Sequence, residues 1–267
     1  MTIRVVATAR ALKVLARDPA EAVDRLRSKV EHRADRRRPA PATNTYAATE
    51  DFDSKLHERL GAPVPCAATT EFDAEWGALE EALAGSSSFV GDWDHDADQG
   101  LARIVWCAVR DLRPQRVVET GVARGITSRI ILEALDRNGD GHLWSIDLPF
   151  LRTSWYDQTA AAVPHSLHSR WTYVRGSSRR RLPQLLADLG QIDLFVHDSA
   201  HTETNMRFEF TTAWSALRPG GVLVSHDVEM NAAFAEFARA VGLQPLLARH
   251  DASSGLVGVL VKGAGPA

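Results

Sequence analysis

Arg116-Val-Val-Glu-Thr-Gly-Val-Ala-Arg-Gly125 is the stretch on which the reading of this chain turns. It is a short apolar run closed by one glycine, with a second glycine four positions on, directly before the helix-forming Ile126-Thr-Ser-Arg-Ile-Ile. Gly121 permits a tight turn at the end of a strand, and Gly125 lets the next helix approach closely. Small residues at such a turn allow a ligand to lie against the backbone and the helix N-terminus. A dinucleotide fingerprint would read G-x-G-x-x-G. Counted from Gly121, the third position is Ala123 and the sixth is Ile126, so a pyrophosphate reading is weak. Alone, the turn is compatible with a purely structural role.

Outward from this turn the chain alternates between two periodicities. A helix through Ile104, Val105, Ala108 and Leu112 ends before Pro114, and residues 125–137 read as a second helix. Strands are expected at 142–147, 171–175, 192–198 and 221–227, with helical stretches around 153–163, 179–189, 203–217 and 230–241. The last two apolar runs, 243–248 and 256–261, leave no room for a helix and should pair antiparallel. Strands joined by helical crossovers demand an α/β fold, a doubly wound and mostly parallel sheet. In such sheets ligands bind beyond the carboxyl ends of the strands.

The residues after each strand are therefore the candidates. Asp147, behind the apolar Ile146, can accept from both hydroxyls of a ribose, or it can serve as a solvated loop acid. Gly176-Ser177-Ser178 suits the edge of an adenine or the N-cap of the following helix. Arg179-Arg-Arg181 reads as a solvated helix face, since no aromatic residues interleave with it as in a nucleic-acid patch. Asp198-Ser-Ala-His201 and His226-Asp227 follow adjacent strands and should converge. Together they offer two carboxylates and two imidazoles, a set suited to a divalent ion or to general-base chemistry. His197, inside its strand, reads as a core histidine.

Composition narrows the class. The chain has 267 residues, 45% hydrophobic and 24% charged, with net charge -3. These values describe an ordinary globular chain with no bias toward nucleic acid. No apolar run approaches the ~18 residues of a membrane span. Two cysteines, Cys66 and Cys107, stand in no metal-ligand spacing and exclude a disulfide framework, so a reducing cytoplasm is expected. Charge is uneven: residues 1–40 hold 11 Lys/Arg against 5 Asp/Glu, and the remainder 20 against 29. That basic front reads as two helices divided at Pro19 and closed by Arg36-Arg37-Arg38 and Pro39-Ala-Pro41. Further helices are expected at 52–60, ending at Gly61, and at 72–83, with Thr70 as N-cap and Gly85 as stop. The alternating aspartates from Asp92 to Asp98 are no EF-hand loop, because Ala97 and Arg103 stand where glycine and glutamate are needed. Trp93, Trp155 and Tyr156 could line a pocket, and His165 and His168 lack a third metal ligand. No G-x-S-x-G, H-E-x-x-H or P-loop motif is present.

Glu119-x-Gly121-x-Ala123-x-Gly125 resembles the first motif of class I S-adenosylmethionine-dependent methyltransferases, with alanine for its middle glycine. Asp147 falls where that family holds the ribose, and Leu217-Arg-Pro-Gly-Gly-Val-Leu-Val resembles the segment leading into its fifth strand. The resemblance spans roughly residues 100–263 and implies a seven-stranded Rossmann-like sheet behind a helical N-terminal extension. With the patterning upstream, the chain is expected to divide into a basic helical arm (1–40), a helical cap or lid (41–100) and a cofactor domain (101–267). The resemblance implies S-adenosylmethionine bound by Glu119, Thr120, Gly121, Ala123, Gly125, Asp147, Leu148, Gly176, Ser177 and Asp198. Asp198-x-x-His201 with His226-Asp227 resembles small bacterial metal-dependent O-methyltransferases of sugars and natural products. That likeness makes His201 the base, with Asp198 and His226 beside it as catalytic candidates. It makes Asp198, His226 and Asp227 ligands of a divalent metal such as Mg²⁺. Two departures stand out: Asp198-Ser-Ala-His201 lacks the middle acid of D-G-D-H, and His226 replaces the first acid of D-D or D-N. The expected acceptor is a hydroxyl of a small molecule, with no nucleic acid and no membrane as partner; a helical front end is compatible with a homodimer. Two other readings stay open: a non-haem iron hydroxylase resembling cephalosporin hydroxylase, and a non-catalytic binding module of a biosynthetic complex.

Overall fold

The apolar runs assemble into one sheet of seven strands: β1 (Arg116–Thr120), β2 (His142–Asp147), β3 (Trp171–Arg175), β4 (Ile192–His197), β5 (Leu217–Ser225), β6 (Leu246–Arg249) and β7 (Leu256–Val261). The computed structural model describes residues 18–42, 45–84, 98–149, 151, 157–249 and 255–263. Strand order is β3-β2-β1-β4-β5-β7-β6. The pairs among β3, β2, β1, β4 and β5 are parallel, and β7 runs antiparallel to both of its neighbours. The expected doubly wound α/β sheet and its closing antiparallel pair are thus both present.

Helices cover the two faces. They are α1 (Pro19–Asp35), α2 (Phe52–Leu60), α3 (Ala67–Ala84), α4 (Gln99–Leu112), α5 (Ile126–Asn138), α6 (Ser178–Leu189), α7 (Glu203–Ala216) and α8 (Ala233–Ala240). Successive side chains of a strand face opposite sides. Val117 of β1 accordingly packs with Trp106, Ile131, Leu194 and Phe72 on the α3–α4–α5 side. Its neighbour Val118 packs with Phe195, Phe210, Phe234 and Leu223 on the side of α7 and α8. No described helix is long and apolar enough to cross a membrane.

Local chemistry sets the helix ends. Pro19 occupies the first turn of α1, where its missing N–H costs nothing, and Asp18 Oδ1 accepts from the Glu21 N–H at 3.0 Å. Asp98 caps α4 through the Leu101 N–H at 3.0 Å, and Thr202 caps α7 through the Asn205 N–H at 3.2 Å. α2 stops at Gly61, whose left-handed φ of 71° suits glycine.

Three elements differ from the sequence expectation. α3 begins at Ala67, so Thr70 lies within the helix rather than capping it. Of the helical stretch expected at 153–163, residues 157–163 are turns. Their backbone is spent elsewhere: the Ala160 and Ala162 N–H groups donate to the carbonyls of Ala123 and Arg124, each at 2.9 Å. β5 begins at Leu217, because Arg218-Pro-Gly-Gly221 enters the sheet through a register shift opposite Ile192–Leu194. Gly85, most of the aspartate run, Trp93, Trp155 and Tyr156 fall outside the described residues.

Phe210 is fully buried, with its ring against those of His197, Phe234 and Phe237. Phe210→Ala is expected to cost about 3–5 kcal/mol, read as a lower midpoint in denaturant unfolding.

Candidate active site

The sheet opens at the carboxyl end of β1. Strand order reverses there, with β2 on one side and β4 on the other, and the two outgoing turns must separate around whatever lies between. Gly121 makes the approach possible. A Cβ at that position would stand 2.0 Å from the Asp198 carbonyl oxygen, and its φ of +89° is one that side-chain-bearing residues rarely adopt. The Asp198 N–H donates to the Thr120 carbonyl at 2.8 Å, which ties the turn after β4 to the end of β1.

Beyond these turns lies a crevice of about 890 Å³. One wall consists of Gly121, Ala123, Asp147, Leu148, Gly176 and Ser177, and the crevice runs on to Asp198 and His201. Asp147 accepts from the Val122 N–H at 3.3 Å and from the Tyr173 hydroxyl at 3.4 Å, and burial raises its pKa. Three residues of the first motif do not line the crevice. Gly125 starts α5, and a Cβ there would press on Ala160 and Val163 at 3.1 and 3.0 Å. Glu119 and Thr120 are wholly buried behind the turn. Glu119 accepts from the Ser128 and Ser145 hydroxyls at 2.6 and 2.7 Å, and Thr120 donates to Glu209 at 2.5 Å.

The turns after β4 and β5 bring Asp198, His201, His226 and Asp227 together, as their positions predicted. His226 Nδ1 lies 3.0 Å from Asp198 and 3.6 Å from Asp227, while its Nε2 lies 3.2 Å from Asp98, the cap of α4. Burial disfavours charge on this ring, but Asp198, Asp98 and Asp227 overcome it and hold His226 up at about 11. It is therefore an imidazolium at neutral pH, without a lone pair to act as a base. His201 is the opposite case. Burial, with His197 and His226 nearby, lowers it well below the ordinary histidine value, so its ring is neutral. His201 lies 3.7 Å from Asp198 and 3.9 Å from Asp227. One ligand atom from each of Asp198, His201 and His226 lies within 4.8 Å of the others.

Two parts of the site escaped the sequence reading. The first is Glu209 on α7, fully buried, which receives His197 Nδ1 at 2.6 Å, the Ser199 hydroxyl at 2.7 Å and the Asn205 amide at 2.9 Å. Burial opposes its charge, but His197, with hydrogen bonds from Ser178 and Thr120, holds it down at about 2. It anchors the Asp198–His201 turn from below. The only advance signal was an acid inside an apolar helix pattern. The second is α1, which forms the opposite wall with Arg25, Ser28, Lys29 and His32. Although the arm is basic overall, the face turned to the domain is acidic. Glu31 meets Arg179 at 3.0 Å, Asp18 meets Arg180 at 3.1 Å, Glu21 meets Arg175 at 3.1 Å, and Asp24 receives the Ser177 hydroxyl at 2.7 Å. Arg179 and Arg180 are thus partners of α1 rather than a solvated face.

Residues 118–228 match the family described as a methyltransferase domain, a span that holds every turn just described. That span is a methyltransferase domain of the S-adenosylmethionine-dependent kind. Its fold is similar to that of the O-methyltransferase TomG from Streptomyces achromogenes, involved in tomaymycin synthesis and solved with S-adenosylmethionine, at 18% identity and a TM-score of 0.50. That likeness covers 80% of this chain and 97% of TomG. It is equally similar to the O-methyltransferase from Bacillus cereus in complex with S-adenosylhomocysteine, at 14% identity and a TM-score of 0.50 over 79% of this chain and 97% of the other. No protein of curated function matches in sequence.

In this methyltransferase, Glu119 carries a measurable signature. Burial, opposed by the two serine hydroxyls and reinforced by Asp198 and Asp147, pushes its pKa from 4.5 up to about 8. The folded state therefore holds a proton that the unfolded chain releases. The stability this supplies is complete below about pH 4.5 and is lost as pH rises through about 8. Glu119→Gln is expected to flatten the fall of Tm across that window, which thermal melts at stepped pH will measure.

Proposed function

We propose that the protein transfers a methyl group from S-adenosylmethionine to a hydroxyl oxygen of a small molecule, a sugar or a glycosylated natural product being the favoured class. The observation that carries this reading is a single crevice joining the small-residue turn at Gly121 and Asp147 to the neutral His201. Its volume of about 890 Å³ suits a nucleoside and a small acceptor together. Within the chain we assign residues 1–40 to an arm, 41–100 to a cap that sets acceptor choice, and 101–267 to the cofactor domain.

When bound, S-adenosylmethionine supplies an activated methyl carbon. The chain has two tasks beside it: to align acceptor and donor, and to remove one proton. Asp147 accepts from the ribose hydroxyls, and Gly121, Ala123, Gly176 and Ser177 leave room for the nucleoside. Holding two reactants in line supplies several kcal/mol toward such a displacement. As the new O–C bond forms and the C–S bond breaks, the hydroxyl proton passes to His201. Its Nε2 is buried and has no hydrogen-bond partner. Glu209 keeps the turn that carries His201 in place.

The cluster also suits a divalent ion. Asp198, His226 and Asp227 would hold it, and it would lower the pKa of an acceptor hydroxyl. Imidazole in the donor set favours a transition ion over Mg²⁺. Such an ion and the His226 proton compete for the same lone pair. The grouping of His201, His226 and Asp198 also favours a second reading, a facial iron site that consumes oxygen.

Calorimetry with S-adenosylmethionine, with and without divalent ions, tests the first claim, followed by methyl-transfer assays on sugar and phenolic acceptors. Oxygen uptake in place of methyl transfer would select the second reading. Asp147→Ala is expected to weaken cofactor affinity about tenfold or more, the loss of at least ~1.4 kcal/mol of charge-assisted hydrogen bonding. His201→Ala is expected to keep cofactor affinity while lowering kcat about 10²–10⁴-fold, the usual worth of a positioned base.

A further inference from the structure

Far from the crevice, the helical cap meets the core domain through four side chains that sequence spacing did not connect. His57 comes from α2, Cys66 from the turn before α3, and Cys107 and Asp111 from successive turns of α4. None of the four lines the crevice. One ligand atom from each of His57, Cys66 and Cys107 lies within 4.8 Å of the other two. Asp111 adjoins the group, 3.5 Å from His57 Nε2 and 3.7 Å from the Cys66 sulfur.

The posture of His57 is the informative detail. Its Nδ1 lies 2.6 Å from the Asp53 carbonyl, which can only accept, so Nδ1 carries the proton. Its Nε2 is then the ring atom turned toward the other three side chains. That atom is buried, has no hydrogen-bond partner, and faces a carboxylate oxygen. A histidine whose far nitrogen is anchored to a backbone carbonyl is the usual posture of a metal ligand.

We propose that His57, Cys66, Cys107 and Asp111 form a structural zinc site that fastens the helical cap to α4. Two sulfurs, one imidazole and one carboxylate suit Zn²⁺ and exclude Mg²⁺ or Ca²⁺. Zinc–ligand distances of about 2.0–2.3 Å set tetrahedral ligand atoms roughly 3.3–3.8 Å apart. The His57–Asp111 and Cys66–Asp111 separations of 3.5 and 3.7 Å already meet that range. Closing the shell requires Cys107 and Asp111 to draw toward a common centre. Binding converts both thiols to thiolates and releases their two protons to solvent. No electron is transferred.

The test uses the full chain, stripped with chelator under a reductant that does not bind metal, and titrated with Co²⁺ and then Zn²⁺. The expected result is a thiolate-to-cobalt charge-transfer band in the near ultraviolet with tetrahedral visible bands, both bleached by Zn²⁺. Release of two protons per ion and a Tm raised by several degrees should accompany it. Cys66→Ser and His57→Gln should each weaken binding at least tenfold and abolish the Tm gain, while Asp198→Ala and Asp227→Ala should leave the charge-transfer band intact. The half-buried Cys66 keeps the test open where a Cys107 variant fails to fold. Three results would overturn the proposal: no thiolate band, a band or Tm gain unchanged in Cys66→Ser and His57→Gln, or an intact mass two hydrogens light that reduction restores, which would make the pair a disulfide.

Discussion

The contact of Gly121 with the backbone of Asp198 governs this structure. Two parallel strands leave the sheet side by side, and the chain after each must turn away at once. Only a residue without Cβ fits where the first turn meets the second. The consequence is a gap at the carboxyl ends with backbone on its floor, Asp147 on one side and the Asp198–His201 turn on the other. The crevice, the cofactor assignment and the position of the proposed base all follow from that one close approach.

Buried charge does the next part of the work. Isolated charges are expensive inside a protein, so each buried acid here is either paired or protonated. Glu209 is paired and stays ionised beneath the His201 turn, whereas Glu119, with only hydroxyl donors, is held in the acid form well above the usual range. His226 collects three carboxylates and becomes a fixed cation, while His201, less than 6 Å away between ring centres, stays neutral. Two histidines that look equivalent in the sequence thus acquire opposite proton affinities. Of the two, only the neutral His201 keeps a lone pair able to accept a proton.

The N-terminal helix shows the same logic on a larger scale. α1 spans the crevice through Asp18, Glu21, Asp24 and Glu31, which meet arginines and a serine at the ends of β3 and the start of α6. Glu21 is buried, while the other pairs are partly exposed and individually weak, about 0–1 kcal/mol each. The helices α2 and α3 meet the domain differently, through buried packing that includes Phe72 and Trp76.

Much of the fold was legible because its signals are local. Buried parallel strands read as short apolar runs, crossover helices as longer periodic ones, and the glycines after β1 as a turn. Gly121, Asp147, Asp198, His201, His226 and Asp227 were legible as strand-end residues, since topology alone sends strand ends to one place. Tertiary structure decided the rest, for reasons that no local pattern carries. The Ala160–Ala162 backbone abandoned helix for bonds to the glycine turn, and an acidic helix face hid inside a basic arm until its arginine partners were found. Glu209 revealed its role only where α7 packs under β4. The grouping of His57, Cys66 and Cys107 had no motif because its residues come from three separate elements, which meet only once the helices have packed.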